Sequence, residues 1–207
     1  MSEIKTIKIG NQIWMSENLN FQHFQNGDEV PFFESIVDFL KQGRHQKPAC
    51  CFYQNNSEKG VLYNSYVISD LRQIAPDGFR VPTVKNWLEL IDFAGGENIA
   101  SQNLKSNSGW TKPDENSVKP EIIVEDEIGN GTNLFGFDAK PMGALLKTEM
   151  LADFFGFGSD AYFWTADTTI FYSGYAHNVF MYYYSSKILL HTLPRRLGLS
   201  IRCIKNL

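Results

Sequence analysis

The residue types able to do covalent or metal chemistry are few in this 207-residue chain, and they are scattered. Cys50 and Cys51 are adjacent and Cys203 lies far away. An odd count of three does not build a disulfide framework, so free thiols are expected. A nucleophilic cysteine needs a thiolate made reactive by a nearby histidine or cation. His45 precedes Cys50 by five residues in a stretch that reads as loop, and Cys203, between Arg202 and Ile204 in a terminal strand, reads as a core residue. The four histidines, His23, His45, His177 and His191, share no ligand spacing such as i, i+4, so no zinc site is expected. The oxygen donors left for calcium are Asp160 with backbone carbonyls, or the acids at 125–127. There is no G-x-S-x-G elbow and no phosphate-cradling glycine loop. No cofactor, metal or catalytic residue is therefore assigned.

The aromatic side chains are more informative. Aromatic residues make up 14% of the chain, including 16 Phe and 9 Tyr. Between 162 and 186 they crowd together with Ser and Asn. That is the composition of binding loops, because a Tyr ring gives large contact area for little rotamer entropy and its hydroxyl adapts to a partner. The candidate ligand-binding residues are Tyr162, Trp164, Tyr172, Tyr175, His177, Asn178, Tyr182 and Tyr184. A competing reading is that the period of two in Val179–Tyr184 buries alternate members in a sheet core. Tyr172, Tyr175, Tyr182 and Tyr184 are too many for one small core, so some should be exposed and mark a site.

These residues need elements to hold them. Gly10-Asn11, flanked by apolar residues, predicts a hairpin within 4–14. The apolar spacing after Pro31, closed by Gly43, predicts a helix over 32–42, with loop over 44–60. Leu62, Tyr66, Val67, Leu71 and Ile74 form a stripe that predicts a helix over 62–74, stopped before Pro76. Thr83 can cap a second helix whose buried face holds Trp87, Leu88, Leu90, Ile91 and Phe93, ending at Gly95-Gly96. A further short helix is predicted at 98–105. The polar, acidic stretch 111–132 reads as a solvated insertion loop. Strands are predicted at 179–184, 187–190 and 199–204. The sum is an α+β fold, with helices in the first half and a mainly antiparallel sheet in the second.

Composition excludes some functions. A net charge of −4 and a pI near 5.6, with Lys and Arg scattered apart from Arg195-Arg196, leave no electrostatic footprint for nucleic acid. No apolar run approaches the ~20 residues that span a bilayer. The start of the sequence, MSEIKTIKIGNQIW, lacks the apolar core of a secretory signal, which predicts a cytoplasmic protein, one exported without a standard signal, or a trimmed chain.

Seven short motifs run from end to end: IGNQIWMSENL (9–19), LYNSY (62–66), PDGFRVPTVKNW (76–87), LKSNSGW (104–110), NLFGFDAKPMG (133–143), FWTAD (163–167) and LSIRCIK (199–205). In their order and spacing they resemble the Fibrobacter succinogenes major paralogous domain family. That resemblance implies a branch of the C-type lectin-like fold, which the formylglycine-generating sulfatase-modifying family shares. Its common element, a proline-centred turn leading into a Trp-bearing helix, is matched here by Phe79, Arg80, Val81, Pro82, Thr83 and Trp87. The fold implied is two main helices packed on a twisted antiparallel sheet with long irregular loops, as one domain over 1–207 with insertions at about 20–60 and 111–132. The sequence departs from the family at Phe79-Arg80-Val81-Pro82, where Trp-His-Leu-Pro is usual, and in showing no export leader, which many members carry.

The resemblance carries no catalytic residues. Formylglycine-generating enzymes use a pair of late cysteines at copper, and only Cys203 lies late here. Sugar-binding C-type lectins place calcium with a Glu-Pro-Asn or Gln-Pro-Asp loop and a later Trp-Asn-Asp, and neither is present. The expectation is a non-enzymatic recognition domain that presents loops at about 160–195 to a protein or glycan ligand. Some C-type lectin-like proteins resembling this family are diversified by retroelements in a C-terminal stretch, and 162–191 has the position and composition for it. The alternatives are an enzyme distantly similar to the formylglycine-generating group, acting through Cys203 or a polar pocket near Trp164 and Arg202, and a structural or assembly component.

Overall fold

The computed structural model describes residues 4–113, 128–147, 152–169 and 173–206. Strands β1 (Thr6–Ile9) and β2 (Gln12–Met15) pair antiparallel as the expected hairpin. Gly10 turns the chain at φ 58°, a conformation glycine adopts without a side-chain penalty. Helix α1 spans Ile36–Arg44, four residues later in onset than the apolar spacing suggests. Ser35 Oγ accepts from the Asp38 amide at 3.3 Å and sets the start. Phe33 N donates to Cys50 O at 3.0 Å, which keeps the preceding residues extended. Strand β3 (Cys50–Phe52) lies inside the expected 44–60 loop and pairs antiparallel with β4 (Val61–Tyr63).

The helix expected over 62–74 does not form. Its first residues are β4, followed by a 3-10 turn at Ser65–Val67. Long-range bonds outcompete the local helix here: Tyr63 and Leu199 exchange both backbone hydrogen bonds, at 2.9 and 3.0 Å. Asn64 accepts from Ala49 N and donates to Lys47 O through its side chain. Leu71, a member of the expected buried stripe, is 97% exposed.

Strand β5 (Phe79–Arg80) leads into helix α2 (Val84–Phe93), which is where the cap predicted it. Thr83 and Asn86 form a reciprocal capping box. Trp87, Leu90 and Ile91 are buried, whereas Leu88 and Phe93 are about half exposed, so the buried face is narrower than expected. Helix α3 (Ala100–Leu104) is the short third helix. Residues 114–127, the larger part of the expected 111–132 insertion with its acids at 121 and 125–127, lie outside the described residues.

The second half supplies β6 (Met142–Lys147), β7 (Ala152–Phe157), β8 (Asp160–Thr168), β9 (Tyr175–Tyr182), β10 (Ile188–Pro194) and β11 (Ile204–Lys205). The strand expected at 179–184 thus starts earlier, and that at 187–190 runs on to Pro194. At 199–204 only the last two-residue strand forms, preceded by isolated bridges at Leu199 and Ser200. Among the described residues the strands make three sheets, ordered β1-β2-β11-β5, β10-β9-β8-β6-β7 and β3-β4. Pairing is antiparallel except between β6 and β8, and a register shift between Trp164 and Thr168 bends β8. The fold is mixed α+β, mostly sheet with few helices, in agreement with the α+β class.

Two clusters of buried side chains lie between these elements. One gathers Phe39, Leu62, Tyr63, Trp164, Leu199 and Ile201. The other holds Trp14, Trp87, Phe137, Phe163 and Met181, and packs α2 onto β8 through the Trp87 and Phe163 rings at 5.3 Å.

Candidate functional site

Register decides which of the candidate aromatic residues can act together. Across β8 and β9, Tyr162 faces Phe180 and Trp164 faces Asn178. Strand β10 then sets His191 opposite Asn178 and Thr192 opposite His177. Successive strand residues point to opposite faces. Asn178, Phe180 and Tyr182 therefore share one face of β9, while Tyr175 and His177 take the other. The candidate residues among those described do not form one patch.

The first face is an aromatic ladder turned largely inward. Tyr162 stacks on Phe180 with centroids 4.5 Å apart, Phe180 on Tyr182 at 6.1 Å, and Tyr182 meets Tyr184 edge-on at 5.7 Å. Trp164 is fully buried and donates from Nε1 to Tyr63 O at 2.8 Å. Asn178 and Tyr182 are also buried, and among the described residues neither amide atom of Asn178 nor the Tyr182 hydroxyl has a hydrogen-bond partner. Trp164, Asn178 and Tyr182 are thus packed inside the fold rather than displayed, and the other face is covered along the same stretch, since Phe163, Val179 and Met181 are also fully buried. At the surface stand Tyr175, 37% exposed, and the half-buried Tyr162, His177 and Tyr184. Tyr172 lies outside the described residues.

At the start of β8, the ladder ends on Asp160. Ser159 Oγ donates to its Oδ1 at 2.8 Å and the Tyr162 hydroxyl to its Oδ2 at 3.3 Å. Burial pushes this carboxyl up to about 7, against the two hydrogen bonds and the nearby Lys105 cation. Burial, then Asp160, pushes Tyr182 up to about 12. Lys105 is itself fully buried: its Nζ donates to the carbonyls of Tyr182 and Ser185 and lies 4.5 Å from the Trp110 ring centroid. Asp160 can hold or release a proton near neutrality, but it does so among packed side chains. Among the described residues no three His, Cys, Asp or Glu side chains gather where they could hold a metal ion.

The pocket beside Arg202 is a second locus. Arg202 is buried, with Nε and Nη2 donating to Asn18 Oδ1 at 2.9 and 2.6 Å and Nη1 to the Ser16 and Phe137 carbonyls. Its guanidinium stacks 4.6 Å from the Phe137 ring. Burial pulls its pKa down to about 10. It forms one wall of a cavity of about 340 Å³ whose rim carries Glu17, Glu58, Lys59 and Asp138. Trp164 is not part of this lining. Cys203, adjacent in sequence, is buried and its thiol is pushed up to about 12, so it stays protonated at neutral pH. All three cysteines are free and buried.

A larger hollow of about 680 Å³ was not foreseen. Phe21, Phe24, Ile74 and Pro76 form its apolar walls, with His23 and Asp77 at the edge. Its two sides are tied by Gln25, which donates from the side chain to Ala75 O at 2.7 Å and from the backbone to Gln73 O at 2.9 Å. No local pattern joins 20–27 to 74–77, so single-segment periodicity could not find it.

Geometry and topology define a mixed α+β protein built mostly of sheet, with a largely internal aromatic ladder and no gathered catalytic group among the described residues. The sequence matches the Fibrobacter succinogenes major domain over residues 7–205, and the chain belongs to that family. No curated protein and no solved structure matches it.

Proposed function

We propose that this chain is a non-enzymatic recognition domain of C-type lectin-like fold, occupying 1–207 as one unit, that presents the surface of its 160–195 sheet region to a protein or glycan ligand. One observation carries the reading. The strands that bury Trp164, Asn178 and Tyr182 leave Tyr175, Leu190 and Thr192 exposed beside the half-buried His177 on one face, and His191 exposed and Tyr184 half-buried on the ladder's side. Rigid sheet thus backs an aromatic and polar surface, which limits the ordering cost of binding. Variation of the exposed positions would leave the buried ladder intact, as a diversified binding face requires.

The test is a glycan-array and protein-partner screen of the wild type beside a Tyr175→Ala/Tyr184→Ala variant. Tyr182 is left alone because its replacement would open the core. Loss of a wild-type ligand by a variant with unchanged circular dichroism is expected. Equal binding by both proteins defeats the assignment of the face.

A further inference from the structure

Strand β10 forms one edge of the five-stranded sheet. It pairs with β9 at every position from Ile188 opposite Met181 to Pro194 opposite Tyr175. Among the described residues its outer side has no backbone partner. Proteins protect such edges with charges, prolines, bulges or short strands, because unpaired N–H and C=O groups template another strand. The opposite edge, β7, carries Asp153 and is broken by Gly156 at φ 74°. Strand β10 has neither defence between Ile188 and Leu193: the run is Ile-Leu-Leu-His-Thr-Leu, with Leu190 37% exposed and His191 and Thr192 exposed. Six such residues offer ~20 Å of open backbone.

The charged residues that flank this strand in sequence are all cations. Lys187 directly precedes the run, and Arg195 and Arg196 directly follow Pro194. The ion pairs among the described residues use Lys5, Arg72 and Lys140, so none of these three cations has a carboxylate partner there. Arg195 donates to Ser69 Oγ at 2.7 Å and lies 4.2 Å from the Tyr66 ring centroid, both neutral groups. This concentration runs against a net charge of −4. It also selects the occupant. Two copies of β10 placed antiparallel would set Lys187 of one beside Arg195 and Arg196 of the other, and like charges facing each other across strands are destabilising.

We propose that β10 accepts an added strand from a partner protein: an extended segment, uncharged over about six residues, with an acidic residue at each end. The proposal rests on the reading of the chain as a recognition domain and names the partner class. Backbone hydrogen bonds along Ile188–Leu193 hold the added strand, and Lys187 at one end and Arg196 at the other fix its register.

The probe is a fluorescent synthetic peptide, Asp-Glu-Val-Thr-Val-Thr-Val-Thr-Glu-Asp, titrated in low salt and followed by polarisation and by amide hydrogen exchange. Saturable binding with slowed exchange at 188–193 is expected, together with about a tenfold loss when alternate residues are N-methylated. A Lys187→Glu/Arg196→Glu variant, folded by circular dichroism, should bind the probe about tenfold more weakly and prefer the same peptide with Lys at its ends. Equal binding of the N-methylated peptide, indifference to the charge reversal, or no binding overturns the proposal. So does a dimer on size-exclusion chromatography that the peptide breaks, since the occupant would then be a second copy. The Tyr175→Ala/Tyr184→Ala protein keeps this edge, so a ligand lost by that variant alongside a peptide that never binds separates failure of the edge from failure of the recognition face.

Discussion

Asp160 and Arg202 show two ways of holding a charge-bearing side chain inside this fold. The guanidinium of Arg202 is satisfied by neutral acceptors on the 16–18 segment and at Phe137, and by stacking on an aromatic ring. Only guanidinium offers donors in a fork that meets all of these at once. Asp160 has two donated hydrogen bonds and the weak pull of Lys105, which do not compensate its burial. Its carboxyl pKa is about 7 in the folded chain and ordinary when unfolded, near 3.8. Between those values the native state holds more protons than the unfolded one, so stability falls as pH rises from about 4 to about 7. The tyrosines facing it, Tyr162, Tyr182 and Tyr53, are all pushed above their ordinary range by burial and stay protonated across that window. Asp160→Asn should flatten this part of the stability–pH curve and, above pH 7, raise stability over wild type by at most about 4 kcal/mol. Urea melts of both proteins at pH 5 and pH 8 measure it. A wild-type curve that rises across this window would refute the assignment.

Helix α2 and the segment 62–74 mark what was legible in the sequence. The start of α2 is written in adjacent residues: Thr83 and Asn86 satisfy each other, and Asp167 Oδ2 accepts from Val84 N at 2.6 Å. Thr83→Ala should therefore cost ~1 kcal/mol of stability with an unchanged urea m-value, as loss of a helix cap does. A change below 0.3 kcal/mol would mean that Asp167 alone carries the cap. The 62–74 stripe had helical spacing too, yet its fate depended on Cys50, Ala49 and Leu199, none of them local. The same limit applied to the candidate site. Composition shows aromatic residues concentrated in the second half, but which rings turn inward depends on the partners across β8, β9 and β10. The odd members of β9 facing away from the even ones is legible only as a period, not as inside or outside. Tyr182 illustrates this, as one of four tyrosines thought too many for a core and yet packed in one.

At the scale of the molecule, the last residues hold the sheets together. Gly198 exchanges backbone hydrogen bonds with Leu145 of β6, and Leu199 does so with Tyr63 of β4. Ser200 O accepts from Trp164 N of β8, Ile201 O from Leu19 N, Cys203 O from Met15 N of β2, and Ile204 pairs with both Trp14 and Arg80. One stretch of chain thus touches all three sheets, and its side chains at Leu199, Ile201, Cys203 and Ile204 enter both buried clusters. Such contacts are long-range in sequence, so they form only when the loops between them close. Unfolding should then be one cooperative event rather than the separate loss of each half. A chain ended at Arg196 should lose its cooperative thermal transition while keeping residual far-ultraviolet ellipticity. In the intact chain the amides of Tyr63, Trp164 and Leu199 should exchange at one common free energy, equal to that of global unfolding, with exposed positions on β10 exchanging through smaller openings. If Tyr63 exchanges several kcal/mol faster than Trp164, the β3-β4 pair opens by itself and the C-terminal stretch is not the common tie.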